Sequence, residues 1–346
     1  MGHGKMRVTR LEHAMATGAL SLPQTGRILL IRPRAEDEPG RLAALLPMAR
    51  VEVVTGFAPD ADAYGAAGFA VSQMPAPGAT AAIVCLPRAR ALAEALLASA
   101  DASVQPGGII VVDGQKTDGV EPMQRALSRR GIALSDAVVK AHGRLFTFAA
   151  GSGALADWAA APRTLNTGPA AGFETRPGVF SADGADPASV LLAEALPDAI
   201  GARVIDLGAG WGFLAAQALA RPGVQEVILL EAEPDALACA RDTLGHDPRA
   251  RFVWGDARHW RPEVPADTVL CNPPFHAGRE ADPGLGAAFI RAAAGMLKPG
   301  GALWLVANRH LPYDAPLAAS FREVAEVAAT PAYRIWRAAR PLPRVR

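Results

Sequence analysis

The residues best suited to chemistry are Asn272-Pro273-Pro274-Phe275, which directly follow the short apolar run Thr268-Val-Leu-Cys271. An exocyclic amine on a heteroaromatic ring, like an amide nitrogen, is a poor nucleophile because its lone pair is delocalised. An Asn side-chain oxygen and a Pro main-chain carbonyl can accept its two N–H protons. That draws the nitrogen toward tetrahedral geometry and aims the lone pair at an electrophilic methyl. The two prolines stiffen the loop, so these acceptors are placed in advance. Phe275 offers a face for a flipped base, worth ~1–3 kcal/mol of stacking. A plain proline-rich turn is the competing reading, and features upstream argue against it.

The first of these is Val204-Ile-Asp206-Leu-Gly208-Ala-Gly210-Trp211-Gly212, a strand running straight into GxGxG and then a helix. Glycines let the chain turn tightly and let a ligand touch backbone, while a helix N-terminus offers unpaired N–H groups. Alone, such a turn could equally serve a dinucleotide. Glu231 stands at the end of the next strand, 25 positions after Asp206, where a carboxylate can accept both ribose hydroxyl protons. Asp256 follows the strand after that and could accept from an adenine amino group. Any one of these acids could be a helix N-cap. Three of them at successive strand ends point instead to a ligand crevice.

These residues need a sheet to hold them, and the periodicity supplies one twice. Short apolar runs at 27–31, 51–54, 81–85 and 108–113 read as buried strands, with helices at 89–100 and 121–130 between them. After a stretch rich in Ala, Gly, Pro and Thr, strands recur at 203–206, 227–231, 251–254, 268–271 and 302–306. Such alternation predicts mainly parallel sheets with helices on their faces. The halves also echo each other: Ile83-Val-Cys85-Leu-Pro87 and a later Pro106-Gly-Gly strand parallel Val269-Leu-Cys271-Asn-Pro273 and a later Pro299-Gly-Gly strand. Strand–helix–PGG–strand occurs in many α/β sheets, but we read a duplicated domain. Its first copy has no glycine loop and carries Leu86-Pro87-Arg88 where the second has Asn272-Pro-Pro-Phe275. The domains are expected at 1–150 and 177–346, with residues 151–176 as a linker.

With 346 residues, half of them hydrophobic and a fifth charged, the chain has apolar mass for two cores and is neither disordered nor collagen-like. No run approaches the ~20 apolar residues of a membrane span. The polar N-terminus does not read as a secretory signal. Three scattered cysteines fit neither a disulfide framework nor a cysteine zinc site, so a reducing cytoplasm is expected. His142, His246, His259, His276 and His310 form no HxH or HxxxH pair, so no metal is expected. A net charge of +1 advertises no nucleic acid by itself. Residues 334–346, however, hold five Arg and no acid, either a solvated tail or a phosphate-contacting strip.

Together these motifs resemble the class I S-adenosylmethionine-dependent methyltransferases, and within them the RsmC/RlmG-type ribosomal RNA guanine-N2 methyltransferases. The resemblance extends to Pro177-Gly-Val-Phe-Ser181-Ala-Asp183-Gly-Ala-Asp186, to Asn272-Pro-Pro-Phe-His276-Ala-Gly278, and to Val306-Ala-Asn308-Arg-His-Leu311-Pro-Tyr313. It implies two tandem Rossmann-like methyltransferase domains, the N-terminal one degenerate and positioning RNA. It also implies S-adenosylmethionine as cofactor, methyl transfer to guanine N2 of ribosomal RNA (small-subunit 16S), and a monomer acting on ribosomal RNA or a ribosomal subunit. By position, Asp206, Gly208, Gly210 and Gly212 would line the methionine end, Glu231 would hold the ribose and Asp256 the adenine. Asn272, Pro273 and Phe275 would hold the guanine, and Asn272 would also contact the cofactor. The segment 178–181 would close over the cofactor. Pro274, His276, Arg309 and His310 are candidate contacts to substrate, the last two to RNA backbone. Glu231 stands where Asp is often found, and Trp211 puts a large ring inside the glycine loop. Adenine N6 in nucleic acid, protein glutamine, and RNA binding without turnover stay open as alternatives.

Overall fold

The computed structural model describes residues 3–274, 276, 277, 280, 281 and 283–343. The chain divides into two compact units, Met1–Ala161 and Pro162–Arg346. In the first, the helix His3–Ala16 (α1) precedes β1 (Ile28–Ile31), α2 (Pro39–Leu45), β2 (Val51–Val54), α3 (Ala58–Ala66) and β3 (Ala70–Ser72). Then come β4 (Ala79–Cys85), α4 (Arg90–Ser103), β5 (Val104–Gln115), α5 (Val120–Arg129), β6 (Val138–Lys140) and β7 (Gly143–Ala149). The sheet order is β3-β2-β1-β4-β5-β7-β6, with β7 antiparallel to its neighbours.

The second unit begins with a small hairpin, β8 (Arg163–Thr164) and β9 (Glu174–Thr175). It continues through α6 (Pro187–Ala195), β10 (Arg203–Leu207), α7 (Phe213–Leu219), β11 (Glu226–Glu231), α8 (Pro234–Leu244), β12 (Ala250–Trp254) and β13 (Ala266–Cys271). A second hairpin, β14 (His276–Ala277) and β15 (Glu280–Ala281), leads to α9 (Pro283–Ala294), β16 (Leu297–Asn308), α10 (Asp314–Ser320), β17 (Phe321–Ala329) and β18 (Tyr333–Pro341). Its main sheet runs β12-β11-β10-β13-β16-β18-β17, the order of the first unit repeated strand for strand. In each unit, apolar clusters cover both sheet faces, as the continuous apolar strand runs require.

Register makes the duplication close enough to compare single positions. Taking Cys85 and Cys271 as equivalent ends of β4 and β13, Val84 pairs with Ile31 where Leu270 pairs with Asp206. Ile31 pairs in turn with Val54, and Asp206 with Leu229. Two residues further on, Gly56 stands at the place of Glu231, and Leu86 at that of Asn272. The first unit therefore lacks a side chain capable of polar contact at three positions where the second has one.

The structure adds to the sequence reading at three places. The supposed linker at 151–176 is divided between the units. Leu155 is buried in the first, where Arg130 lies 4.4 Å over the Trp158 ring. Ala170 is buried in the second, and Phe173 packs edge-on against Trp211 with centroids 5.2 Å apart. Second, the polar N-terminus is α1, which buries Val8, Leu11 and Ala14. Arg7 and Arg10 on the same helix are buried because Asp113 faces both, at 2.6 Å and 2.5 Å, and Asp37 faces Arg7 at 3.0 Å. Removing one partner of such a cluster would leave a buried charge unpaired, which makes it a strong constraint on register. Third, the arginine-rich end is largely strand rather than tail. Within β18, Ile335 and Trp336 are buried, Arg334 is held by Asp314 and Glu326, and Arg340 by Glu323. Two of the five arginines of the supposed phosphate strip are thus paired within their own unit, Arg337 is exposed, and Arg344 and Arg346 lie outside the described residues.

Gly286 explains how α9 is seated. A Cβ at this buried helical position would overlap the Oη of Tyr313, itself fully buried. Gly286→Ala gains up to ~1 kcal/mol of helix propensity but overpacks the contact at a cost of ~1–3 kcal/mol. The expected net result is a second-unit melting temperature lower by several degrees, read by thermal denaturation. An unchanged or higher value would mean that Tyr313 moves aside freely.

Candidate active site

At the C-terminal edge of the second sheet, a cleft is bounded by Phe180, Ser181, Asp186, Gly208, Gly210 and Asn272. Gly208 and Ala209 donate backbone N–H bonds to the Leu230 carbonyl at 2.9 Å and 3.1 Å, tying the loop after β10 to the end of β11. Glycine is required there for two different reasons. At Gly212, φ is 90°, and a Cβ would sit 3.0–3.2 Å from Leu244, Ala240 and Leu229. At Gly210, φ is 54° and a Cβ would meet nothing, so this glycine leaves room on the cleft side.

Trp211 is buried at the wall of the cleft. It is 3 % exposed, stacks edge-on with Phe213, and donates its Nε1–H to the Phe180 carbonyl at 2.8 Å. The glycine loop thereby holds segment 178–181, whose Phe180 side chain stays 56 % exposed at the cleft margin.

The three acids have different surroundings. Glu231 accepts from the Gly210 amide through Oε2 and from the Ala232 and Glu233 amides through Oε1, all at 2.8 Å. Burial pushes its carboxyl up, against the pull of those three N–H groups. Asp206 is 1 % exposed beneath the loop, and its Oδ2 has no hydrogen-bond partner. Burial, with a smaller contribution from the Glu231 charge, pushes it up to about 7, while the Ala215 amide opposes the shift. Asp256 is buried, yet Arg258 and His259 hold it below the usual carboxylate range. Both its oxygens already accept from the Arg258 side chain at 2.6–3.0 Å, so an adenine amine would have to share or displace that guanidinium.

Asp206 carries a pH prediction. Its folded value near 7 lies above the ordinary 3.8, so the folded protein binds this proton more tightly than the unfolded chain. The resulting stability is full below about pH 4 and is lost as pH rises through about 7. Asp206→Asn should therefore melt higher than the parent at about pH 8 and lose that advantage toward about pH 5. Parallel melting curves across that range would show that Asp206 ionises without penalty.

The Asn272 loop completes the cleft. Asn272 is half-buried, Pro273 buried and Pro274 exposed. The Asn272 Nδ2 donates to Asp186 Oδ2 at 2.8 Å and to Ser189 Oγ at 2.9 Å. Phe275 lies outside the described residues, as does the His276 side chain. Arg309 and His310 are exposed just past β16, Arg309 donating to the Thr330 carbonyl at 3.2 Å. Ser189 was not among the sequence candidates, Asp186 entered only as the end of the resembling motif without a role, and Phe180 only as part of segment 178–181. Asp186-Pro187-Ala-Ser189 carries a helix-start signature that could have located α6, but not its contact with a residue 86 positions away.

A family model described as Methyltransferase small domain matches residues 170–337. The small-subunit ribosomal RNA methyltransferase C of Shewanella loihica is 30 % identical over 74 % of this chain and 76 % of its own length. That of Chromohalobacter salexigens is 32 % identical over 76 % and 78 %. The chain belongs to the RsmC/RlmG-type class I methyltransferases. The large-subunit methyltransferase G of Pseudomonas putida matches a shorter stretch of this methyltransferase, 39 % identical over 49 % of it and 46 % of the relative. Among solved structures, a T. thermophilus 16S rRNA N2 methyltransferase (RsmC), in complex with AdoMet and guanosine, matches with TM-score 0.74 and 25 % identity. It covers 96 % of this chain and 91 % of that one. This chain thus shares the fold of that structure over nearly its whole length, and in this chain the glycine loop and Asn272 lie in the second unit. Among the described residues of this methyltransferase, no group of three or more His, Cys, Asp or Glu could hold a metal, and no helix is long and apolar enough to cross a membrane.

Proposed function

We propose that this chain transfers a methyl group from S-adenosylmethionine to the exocyclic N2 of a guanine in ribosomal RNA, that of the small subunit. The observation that carries the reading is the Asn272 amide: its N–H groups are spent on Asp186 and Ser189, which leaves its oxygen to accept. The relatives that align over most of the chain are small-subunit enzymes, which supports the choice of RNA.

The cleft's chemistry fits the cofactor. Gly210 leaves space beside backbone, Glu231 offers carboxylate lone pairs to ribose hydroxyls, and the unpartnered Asp206 oxygen favours a cationic ligand above it. S-adenosylmethionine supplies a methyl carbon bonded to a sulfonium, which departs as a neutral thioether. The protein's part is to bind, orient and activate the target amine. Asn272 Oδ1 and the Pro273 carbonyl accept the two N2 protons, localising the nitrogen lone pair as the N–C bond forms. The aminium then releases a proton to solvent, so no strong base is needed beforehand. We assign His276, Arg309 and His310 to RNA contact, Phe275 to base stacking, Asp256 to the adenine end, and the first unit to RNA positioning.

Incubation with radiolabelled S-adenosylmethionine and separate pools of deproteinised rRNA, small subunits and large subunits, each from cells lacking the enzyme, tests the whole reading. Nucleoside digestion should return N2-methylguanosine from a small-subunit pool. Label in adenine, or in protein, would keep the fold and overturn the guanine assignment.

A further inference from the structure

We infer that Asp186 and Ser189 are positioning residues that set the orientation of the Asn272 amide. The inference rests on the reading of Asn272 as the acceptor for the target amine. A side-chain amide has two nearly isosteric ends, one an acceptor and one a double donor, and only the first can take an N–H from a base amine. A free Asn272 would sample both. Here the Asp186 carboxylate can only accept, so it draws the NH₂ end toward α6 at 2.8 Å, and the Ser189 hydroxyl takes the second N–H at 2.9 Å. The carbonyl end then faces the cleft that Asp186, Ser189 and Asn272 line together.

The clamp is itself held. Asp186 is the N-cap of α6, its Oδ2 accepting from the Ser189 amide at 2.9 Å, and Ser189 is buried. One carboxylate oxygen thus serves helix start and amide orientation at once. The nine-residue α6 is anchored by Leu192 and Ala193 in the core, so the cap has a fixed base.

The role is separable from folding. Asp186→Ser keeps an N-capping oxygen but is too short to reach Asn272, and Ser189→Ala removes the second acceptor without touching the cap. Asp186→Ser is expected to lower single-turnover methyl transfer to small-subunit RNA, at saturating cofactor, about tenfold to a hundredfold, and Ser189→Ala about threefold to tenfold. In an Asn272→Ala background neither change should cost anything more, because the group through which it acts is gone. Independently of turnover, the Asn272 side-chain amide protons, identified in ¹⁵N spectra by their loss in Asn272→Ala, should be protected from exchange in the parent and unprotected in Asp186→Ser. Parent-like transfer and protection in Asp186→Ser would overturn the proposal. So would losses that add in the Asn272→Ala background, since they would mark a structural role. Full activity of Asn272→Ala itself would instead overturn the underlying acceptor reading, and the positioning role with it.

Discussion

Asn272→Ala is expected to slow methyl transfer by about 10²–10³-fold while leaving cofactor affinity nearly unchanged, the scale found when one preorganised group at a reacting centre is removed. The effect is differential. Before reaction the target amine is nearly neutral and gains little from an acceptor it could find in water. As the nitrogen attacks, it becomes cationic and its two N–H groups become far stronger donors, so Asn272 Oδ1 matters most at that moment. Alanine removes that oxygen and leaves the Pro273 carbonyl alone. It also frees Asp186 and Ser189, but Asp186 keeps its bond from the Ser189 amide, so α6 stays capped. Single-turnover rates at saturating cofactor, set beside equilibrium cofactor binding, separate the two effects. Equal losses in both would make the proline loop a structural element and remove Asn272 from the chemistry.

Glu231→Ala should do the reverse, weakening cofactor binding about 30- to 200-fold and altering the saturated rate far less. Two charge-assisted bonds to ribose hydroxyls, set against their solvation, come to ~2–3 kcal/mol. The same carboxylate also anchors the Gly210, Ala232 and Glu233 amides, so alanine loosens the loop it would share with the ligand. In this chain the glutamate arm reaches back from the end of β11 to the Gly210 amide at 2.8 Å. Glu231→Gln, which keeps the length and one acceptor oxygen, is expected to fall between the two. Isothermal titration of the cofactor against each variant decides it, and unchanged affinity in Glu231→Ala would place the ribose elsewhere.

Much of the site was legible because it depends on local chain chemistry. A strand running into glycines at 208, 210 and 212, acids at the ends of three successive strands, and Asn272-Pro-Pro after a fourth are short-range patterns that force a crevice at one sheet edge. The seven-strand order was only half visible. The parallel strands carry apolar runs, whereas β18 is written in arginines and alanines and read as a tail; it is a strand because β16 and β17 flank it and Asp314, Glu326 and Glu323 neutralise Arg334 and Arg340. Likewise α1 carries arginines that look solvated until Asp113, more than a hundred residues later, is placed between them.

The sequence by itself determined the chemistry available: which residue accepts a proton, which loops bend, and which half of a doubled fold keeps its polar groups. Tertiary structure decided how those groups are aimed. It buried Trp211 so that its Nε1–H holds Phe180, filled both oxygens of Asp256 with Arg258, and set the Asn272 amide against Asp186. The physical reason is that residue type and spacing specify a group's hydrogen-bonding capacity. Its orientation depends on which partners, tens of residues away, the packed sheet brings within about 3 Å.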